Sequence, residues 1–263
     1  MKAKVNGIET NYEIHGAEGA PWLTFSHSLA CSLRMWDGQV AELKDRFRIL
    51  AYDTRGHGGS EAPKGPYSLD MLAEDLRQLL EHLKIRKTHY VGLSMGGMIG
   101  QALVLKEPGL FDRVVLADTG HTQTPETRKQ WEERIRTAET KGMQPLVQPT
   151  LERWFTKDFM DKPIVKSIGD LIRSTPVPGY VGCCQAISNL NTTARLKEIK
   201  RPVLAIAGEQ DAAAPGTRYI GENVPGARLV MLAGAAHIAN IEQAEAFNRA
   251  LREFLSSPAT GRA

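Results

Sequence analysis

Gly92-Leu93-Ser94-Met95-Gly96 sets a serine between two glycines, at the corner where the β-rich run "THYVGL" gives way to small helix-forming residues. A strand that turns straight into a helix needs a tight, strained bend. A glycine two residues before the serine and another two after it remove the Cβ atoms that would collide there. Such a bend pushes the Ser94 oxygen out above the sheet and aims the Met95 N–H at whatever the serine attacks, with the positive end of a helix beneath. A serine hydroxyl is a weak nucleophile until a base takes its proton, and the base needs an acid to orient it. Downstream, Asp211 closes "VLAIAGEQD" and His237 closes "LVMLAGAAH", each directly after an apolar strand-like run. Serine, acid, histidine is the chain order that this kind of sheet uses. The C-terminal ends of its strands are where open α/β sheets bind ligands.

Each partner also has a plainer reading. Asp211 precedes Pro215 and would serve as a turn residue, and His237 would serve as a packed loop histidine. Asp118 ends "DRVVLAD" and is a second candidate for the acid. What favours Asp211 and His237 is the coincidence of residue type, order and strand position. Acyl transfer also needs two donors for a developing oxyanion. Met95 N–H is one, and the Leu29 N–H in the loop "HSLA" after "WLTFS" is the candidate for the other. The glycines of "DTRGHGGSEAP" (Asp53 to Pro63) lack the Lys-Ser/Thr pair and the dinucleotide spacing of a phosphate cradle. That stretch reads as a rigid loop bordering a pocket, with Arg55 and His57 structural. His82 and His89 read as surface residues.

The elements that must hold these groups alternate. Strand-like "NYEIHG", "PWLTFSH" and "FRILAYD" are followed by a helix capped by Ser68 with Leu69, Leu72, Leu76, Leu79, Leu80 and Leu83 along one stripe. An earlier helix is marked by Trp36, Val40, Leu43 and Phe47. "THYVGLS", the small-residue helix from Met95 and "DRVVLAD" continue the rhythm. Apolar strands separated by helices predict an α/β fold with a mostly parallel sheet covered on both faces. From His121 to Arg195 the rhythm breaks into polar helices, with turns expected at Pro145, Pro149, Pro163, Pro176 and Pro178. It resumes with "RPVLAIAGEQD" and ends in a helix carrying Ile241, Ala244, Phe247, Leu251 and Phe254. The economical division is a core of residues 1–120 and 196–263 with a helical cap, 121–195, inserted in it.

A chain of 263 residues can bury a sizeable core, and 42% apolar with 24% charged residues is ordinary for a globular enzyme. A net charge of +3, with basic residues spread along the chain, points to no nucleic-acid partner. Cys31, Cys183 and Cys184 cannot all pair and show no metal-ligand spacing, so they read as reduced thiols. With no signal-peptide-like or membrane-spanning stretch, the expectation is a soluble cytoplasmic protein.

Together these residues resemble the α/β-hydrolase superfamily over essentially the whole chain. The similarity is closer still to the 3-oxoadipate enol-lactonases of bacterial aromatic breakdown, through "MWDGQV", "AYDTRGHGGSEAPKGPYSLD", "VGLSMGGMIGQAL", "RWFT", "GYVGCCQAI" and "HIANIEQAEAFN". The resemblance implies a serine hydrolase with Ser94, Asp211 and His237 as triad, Leu29 and Met95 as oxyanion donors, and no metal or organic cofactor. It implies a small lactone or ester substrate bearing a carboxylate. Ser28, Trp154, Arg153 and Arg173 are candidates for contacting that substrate; surface exposure of the arginines and cap packing of the tryptophan are their plainer readings. The chain has alanine at Ala30 and Ala236 where relatives more often have glycine, or glycine or serine. A broad carboxylesterase, a carbon–carbon-bond hydrolase, a perhydrolase and a hydrolase-fold ligand receptor all remain open on the same triad.

Overall fold

Apolar, β-branched runs build an eight-stranded sheet in the computed structural model, which describes residues 1–256. The strands are β1 Lys2–Val5, β2 Ile8–His15, β3 Trp22–Ser26, β4 Arg48–Tyr52, β5 Thr88–Leu93, β6 Phe111–Ala117, β7 Val203–Gly208 and β8 Arg228–Leu232. Their order across the sheet is β1-β2-β4-β3-β5-β6-β7-β8. Only the β1–β2 and β2–β4 pairings are antiparallel; from β4 to β8 every neighbouring pair is parallel. The central β5, β6 and β7 are buried almost throughout, as strands covered on both faces must be.

The covering helices are α1 Asp37–Leu43, α2 Leu69–His82 and α3 Met95–Lys106. Four more, α4 Pro125–Lys141, α5 Gln144–Trp154, α6 Pro163–Ser174 and α7 Val177–Ser188, lie between β6 and β7, and α8 Ala214–Asn223, α9 Ala239–Glu242 and α10 Ala244–Ser256 complete the chain. α2 forms as its stripe requires: the Ser68 side chain accepts the Met71 N–H, and Leu72, Leu76, Leu79 and Leu80 are buried. Each of those leucines contributes roughly 1.5–3 kcal/mol relative to exposure. On the other side of the sheet Phe25 stacks on Trp36 with ring centroids 4.7 Å apart, and Trp36 in turn meets Phe247 of α10.

Three expectations are corrected. Pro145, Pro163 and Pro178 do not make turns between helices but occupy first-turn positions of α5, α6 and α7, where a missing N–H costs no intrahelical bond. Pro149 lies inside α5. The closing helix is broken at Gln243, so Ile241 belongs to the short α9 rather than to α10. The helix expected to run to Phe47 ends at Leu43, with Phe47 buried in the turn before β4. Residues 257–263, read from sequence as part of the core, lie outside the described residues.

Candidate functional site

Ser94 stands between β5 and α3 with φ +56° and ψ −114°, a conformation an L residue holds only under constraint. The constraint is visible on every side. The Ser94 N–H donates to Ala117 O at 2.8 Å, the Thr119 hydroxyl donates to Ser94 O at 2.8 Å, and the Tyr90 hydroxyl donates to Gly96 O at 2.6 Å. The two glycines are obligatory: a Cβ on Gly92 would meet Gly96 O at 2.4 Å, and one on Gly96 would meet Ser26 O at 2.1 Å.

The three residues singled out by type and order come together. Ser94 Oγ lies 2.9 Å from His237 Nε2, and His237 Nδ1 lies 2.9 Å from Asp211 Oδ1. A neutral His237 with its proton on Nδ1 donates to Asp211 and leaves Nε2 to accept the Ser94 hydroxyl. Asp211, buried beyond the end of β7, also accepts the Ala213 N–H at 3.0 Å. Asp118 does not reach His237. It is fully buried at the end of β6, accepts the Gly208 N–H at 2.8 Å, and its carboxyl is pushed well above the usual carboxylate range by burial and then by the charge of Asp211.

Around Leu29 and Met95, two buried histidines build the loop. His27 Nδ1–H donates to Ser28 O at 2.7 Å and its Nε2 accepts the Thr54 N–H at 2.9 Å. His57 Nδ1–H donates to Arg55 O at 3.2 Å and its Nε2 accepts the Ala30 N–H at 2.9 Å. Burial lowers the pKa of both, that of His57 to about 3 with His27 as a second cause, so each stays neutral and keeps one donor and one acceptor. Ala30 takes φ +56°, a left-handed conformation that turns the loop back. Among the described residues no acceptor takes up the Leu29 or the Met95 N–H. The Ser28 hydroxyl, buried beside them on the cavity wall, is likewise without a partner.

The site opens into a cavity of about 360 Å³, the size of a small-molecule site. One wall holds Ser28, Leu29, Ser94 and His237; the other comes from α4, α5 and α7, with Trp131, Arg134, Thr150, Arg153, Trp154 and Tyr180. Trp154 sets its ring 6.0 Å from the His237 ring, and its carbonyl accepts the Ile238 N–H at 3.1 Å. Arg153 makes only long bonds, to Pro149 O and Thr150 Oγ1 at 3.3 Å each. Desolvation and then the neighbouring Arg134 lower its pKa to about 10. Arg134 lies over the Trp131 ring at 4.3 Å and is itself lowered by desolvation. Both arginines line the cavity without a salt bridge among the described residues, although Arg153 is partly open to solvent and feels the charge of Asp211. Arg173 is corrected: it is exposed, donates to Gln144 and Asp170 on the outer surface, and does not line the cavity.

Arg134 and Trp131 were missed from sequence. Their signal is a tryptophan and an arginine three residues apart in "KQWEERIR", one turn of a helix that is otherwise charged and solvent-facing.

A strained serine at a strand–helix corner, in front of a histidine and an aspartate that follow later strands, belongs to a hydrolase architecture. The family model for the α/β hydrolase fold matches residues 21–244, and the chain belongs to that family. Among solved structures, the enol-lactonase from Burkholderia xenovorans is similar at TM-score 0.94 and 41% identity, covering 98% of this chain and 100% of that one. Among curated proteins, 3-oxoadipate enol-lactonase 2 of Acinetobacter baylyi is 37% identical, covering 93% of this chain and 92% of that protein. A protein named for carbamate hydrolysis, RutD of Agrobacterium fabrum, is 30% identical over 93% of this chain and 97% of its own length. No helix among the described residues is long and apolar enough to cross a membrane.

Proposed function

We propose that this hydrolase opens the ring of 3-oxoadipate enol-lactone to give 3-oxoadipate, as a cytoplasmic enzyme of aromatic-compound breakdown. The observation that carries the reading is the pair of arginines, Arg134 and Arg153, that hold no salt bridge among the described residues and face the Ser94–His237–Asp211 chain across a cavity of about 360 Å³. That cavity suits a small ester whose far end is a carboxylate. In this reading residues 121–195 act as a cap that binds, and residues 1–120 and 196–263 form the core that reacts.

Ser94 Oγ attacks the lactone carbonyl as His237 Nε2 takes its proton, and Asp211 steadies the imidazolium. The tetrahedral oxygen rests on the Leu29 and Met95 N–H groups. Collapse breaks the ring C–O bond. His237 returns the proton to the departing oxygen as an enol, which tautomerises to a ketone and is lost as a nucleophile for the reverse step. Water, deprotonated by His237, then attacks the acyl-enzyme; the new carboxylate leaves and Ser94 recovers its proton. The unpartnered Ser28 hydroxyl is placed to bond substrate beside the oxyanion donors.

The test follows the ultraviolet absorbance of the enol-lactone, generated in situ from muconolactone, with wild type, Ser94→Ala, Arg134→Met and Arg153→Met. Rapid decay lost in Ser94→Ala is expected. Each arginine variant should raise KM by roughly 10- to 150-fold, the value of a charge-assisted bond, with little change on esters lacking a carboxylate. A lactone that persists with wild type while short activated esters are cleaved would remove the substrate and keep the nucleophile.

A further inference from the structure

We propose that Asp118 is a positioning residue: it holds one proton between its own Oδ2 and Oδ2 of Asp211, locking the triad acid as a single anion aimed at His237. The inference rests on the triad reading above. Asp118 and Asp211 follow neighbouring parallel strands, β6 and β7, whose paired residues include Ala117 and Ile206. The Asp118 N–H donates to Ile206 O at 2.8 Å, and its φ of +45° turns the chain at the end of the strand. Both residues line the same cavity beyond the strand ends, and the charge of Asp211 helps to raise the Asp118 carboxyl. Each has one spoken-for oxygen: Oδ1 of Asp118 takes the Gly208 N–H, and Oδ1 of Asp211 takes His237 Nδ1–H and the Ala213 N–H. Each has one oxygen, Oδ2, that is buried and without a partner among the described residues.

Two neighbouring buried carboxylates resist being ionised together, and one proton between the two orphan oxygens would satisfy both. It belongs on Asp118. That side chain is fully buried with one backbone donor, whereas Asp211 has two donors and faces the base. The remaining charged groups that bear on the pair are His237, Glu242 and Arg153. The pair carries a single negative charge throughout turnover, and the only proton that moves is the one His237 exchanges with Ser94, the leaving oxygen and water. A second ionised carboxylate here would hold His237 protonated and useless as a base.

The experiment compares Asp118→Asn, Asp118→Ala and Asp211→Asn by kcat, by the pH profile of kcat/KM, and by infrared difference spectroscopy against wild type at pH 7. The asparagine amide can donate to Asp211 and accept from Gly208. Asp118→Asn is therefore expected to keep near-wild-type kcat and an unmoved acid limb, and to erase one protonated-carboxyl band. Asp118→Ala strands a buried charged acceptor and should lose on the order of 10- to 100-fold in kcat; should that variant not fold, the asparagine variant decides alone. Asp211→Asn should lose on the order of 10⁴ by imposing the wrong histidine tautomer. The proposal falls if Asp118→Asn shifts the acid limb downward, because a charge was then removed, or if wild type has no carboxyl band for the substitution to erase. An active Asp211→Asn beside a dead Asp118→Asn would exchange their roles and leave the triad chemistry standing, while an active Ser94→Ala would break the triad reading itself.

Discussion

His57 links acid stability to the loop that carries Leu29, and the size of the link can be worked out. Its Nε2 accepts the Ala30 N–H, one residue from Leu29, and it can do so only while neutral. Burial holds its pKa at about 3, against an ordinary histidine value of 6.5. A depressed pKa in the folded state means that the unfolded chain binds the proton first. The contribution of His57 is therefore present above pH 6.5 and drains away as pH falls from there towards about 3. Between pH 7 and pH 5 the loss amounts to about 2 kcal/mol, from about 1.4 kcal/mol per pH unit over the part of the window crossed. Total stability is a poor readout, because Asp118 and Asp75, both raised by burial, move the opposite way over the acid range. The difference between wild type and His57→Gln isolates the term, since those carboxyls are common to both proteins. Urea unfolding at each pH should show the advantage of wild type shrinking by about 2 kcal/mol from pH 7 to pH 5. Parallel curves for the two proteins would refute the argument, showing that His57 titrates like an exposed histidine.

Two further outcomes follow from single side chains. Ala30 holds φ +56°, so Ala30→Gly should relieve strain and raise stability in urea by roughly 0.5–1 kcal/mol, the handedness penalty less the glycine's extra entropy. Glu242 is buried and gives one carboxylate to Ala236 N–H at 2.7 Å, Thr156 N–H at 2.9 Å and the Thr156 hydroxyl. Glu242→Gln must set an amide donor against at least one of those donors, so unfolding should cost about 1–3 kcal/mol less and kcat should fall because Ala236 precedes His237.

The centre of the sheet was legible because its strands are buried on both faces and so appear as uninterrupted apolar runs: "VVLA" in β6 and "VLAIA" in β7 leave no other fate. The corner at Ser94 was legible because only glycine tolerates the 2.4 Å and 2.1 Å approaches at positions 92 and 96. Asp211 and His237 were legible as polar residues ending such runs. The binding wall was not. α4 buries only Ala138 fully, and its Trp131, Ile135 and Ala138 stripe looks like ordinary packing, so nothing marks Arg134 beside it. Arg173 and Arg153 are each in the last turn of a short helix, and sequence gives no means to tell that one points outward to Asp170 and the other into the cavity. Prolines misled for a related reason: the same residue that ends one helix is preorganised to start the next.

The division of the site explains why chemistry and binding were legible to different degrees. Ser94, Asp211 and His237 hang from strand ends whose positions are set by backbone ladders, and a shift of one residue in any strand would turn its apolar side chains to the wrong face. Trp131, Arg134 and Arg153 hang from helices that sit on the core mainly by side-chain packing, and such surfaces accept many sequences. Yet the two halves are not independent. The His237 loop is tied to the end of α5 by the Ile238 N–H on Trp154 O and by Glu242, which bonds both Thr156 and the residue before the histidine. Any rearrangement of α5 that re-aims Arg153 therefore also moves His237. On the proposed reading, α4 shares no bond with that loop among the described residues, so Arg134 rather than Arg153 is the position at which a substitution should change binding without disturbing the Ser94–His237–Asp211 geometry.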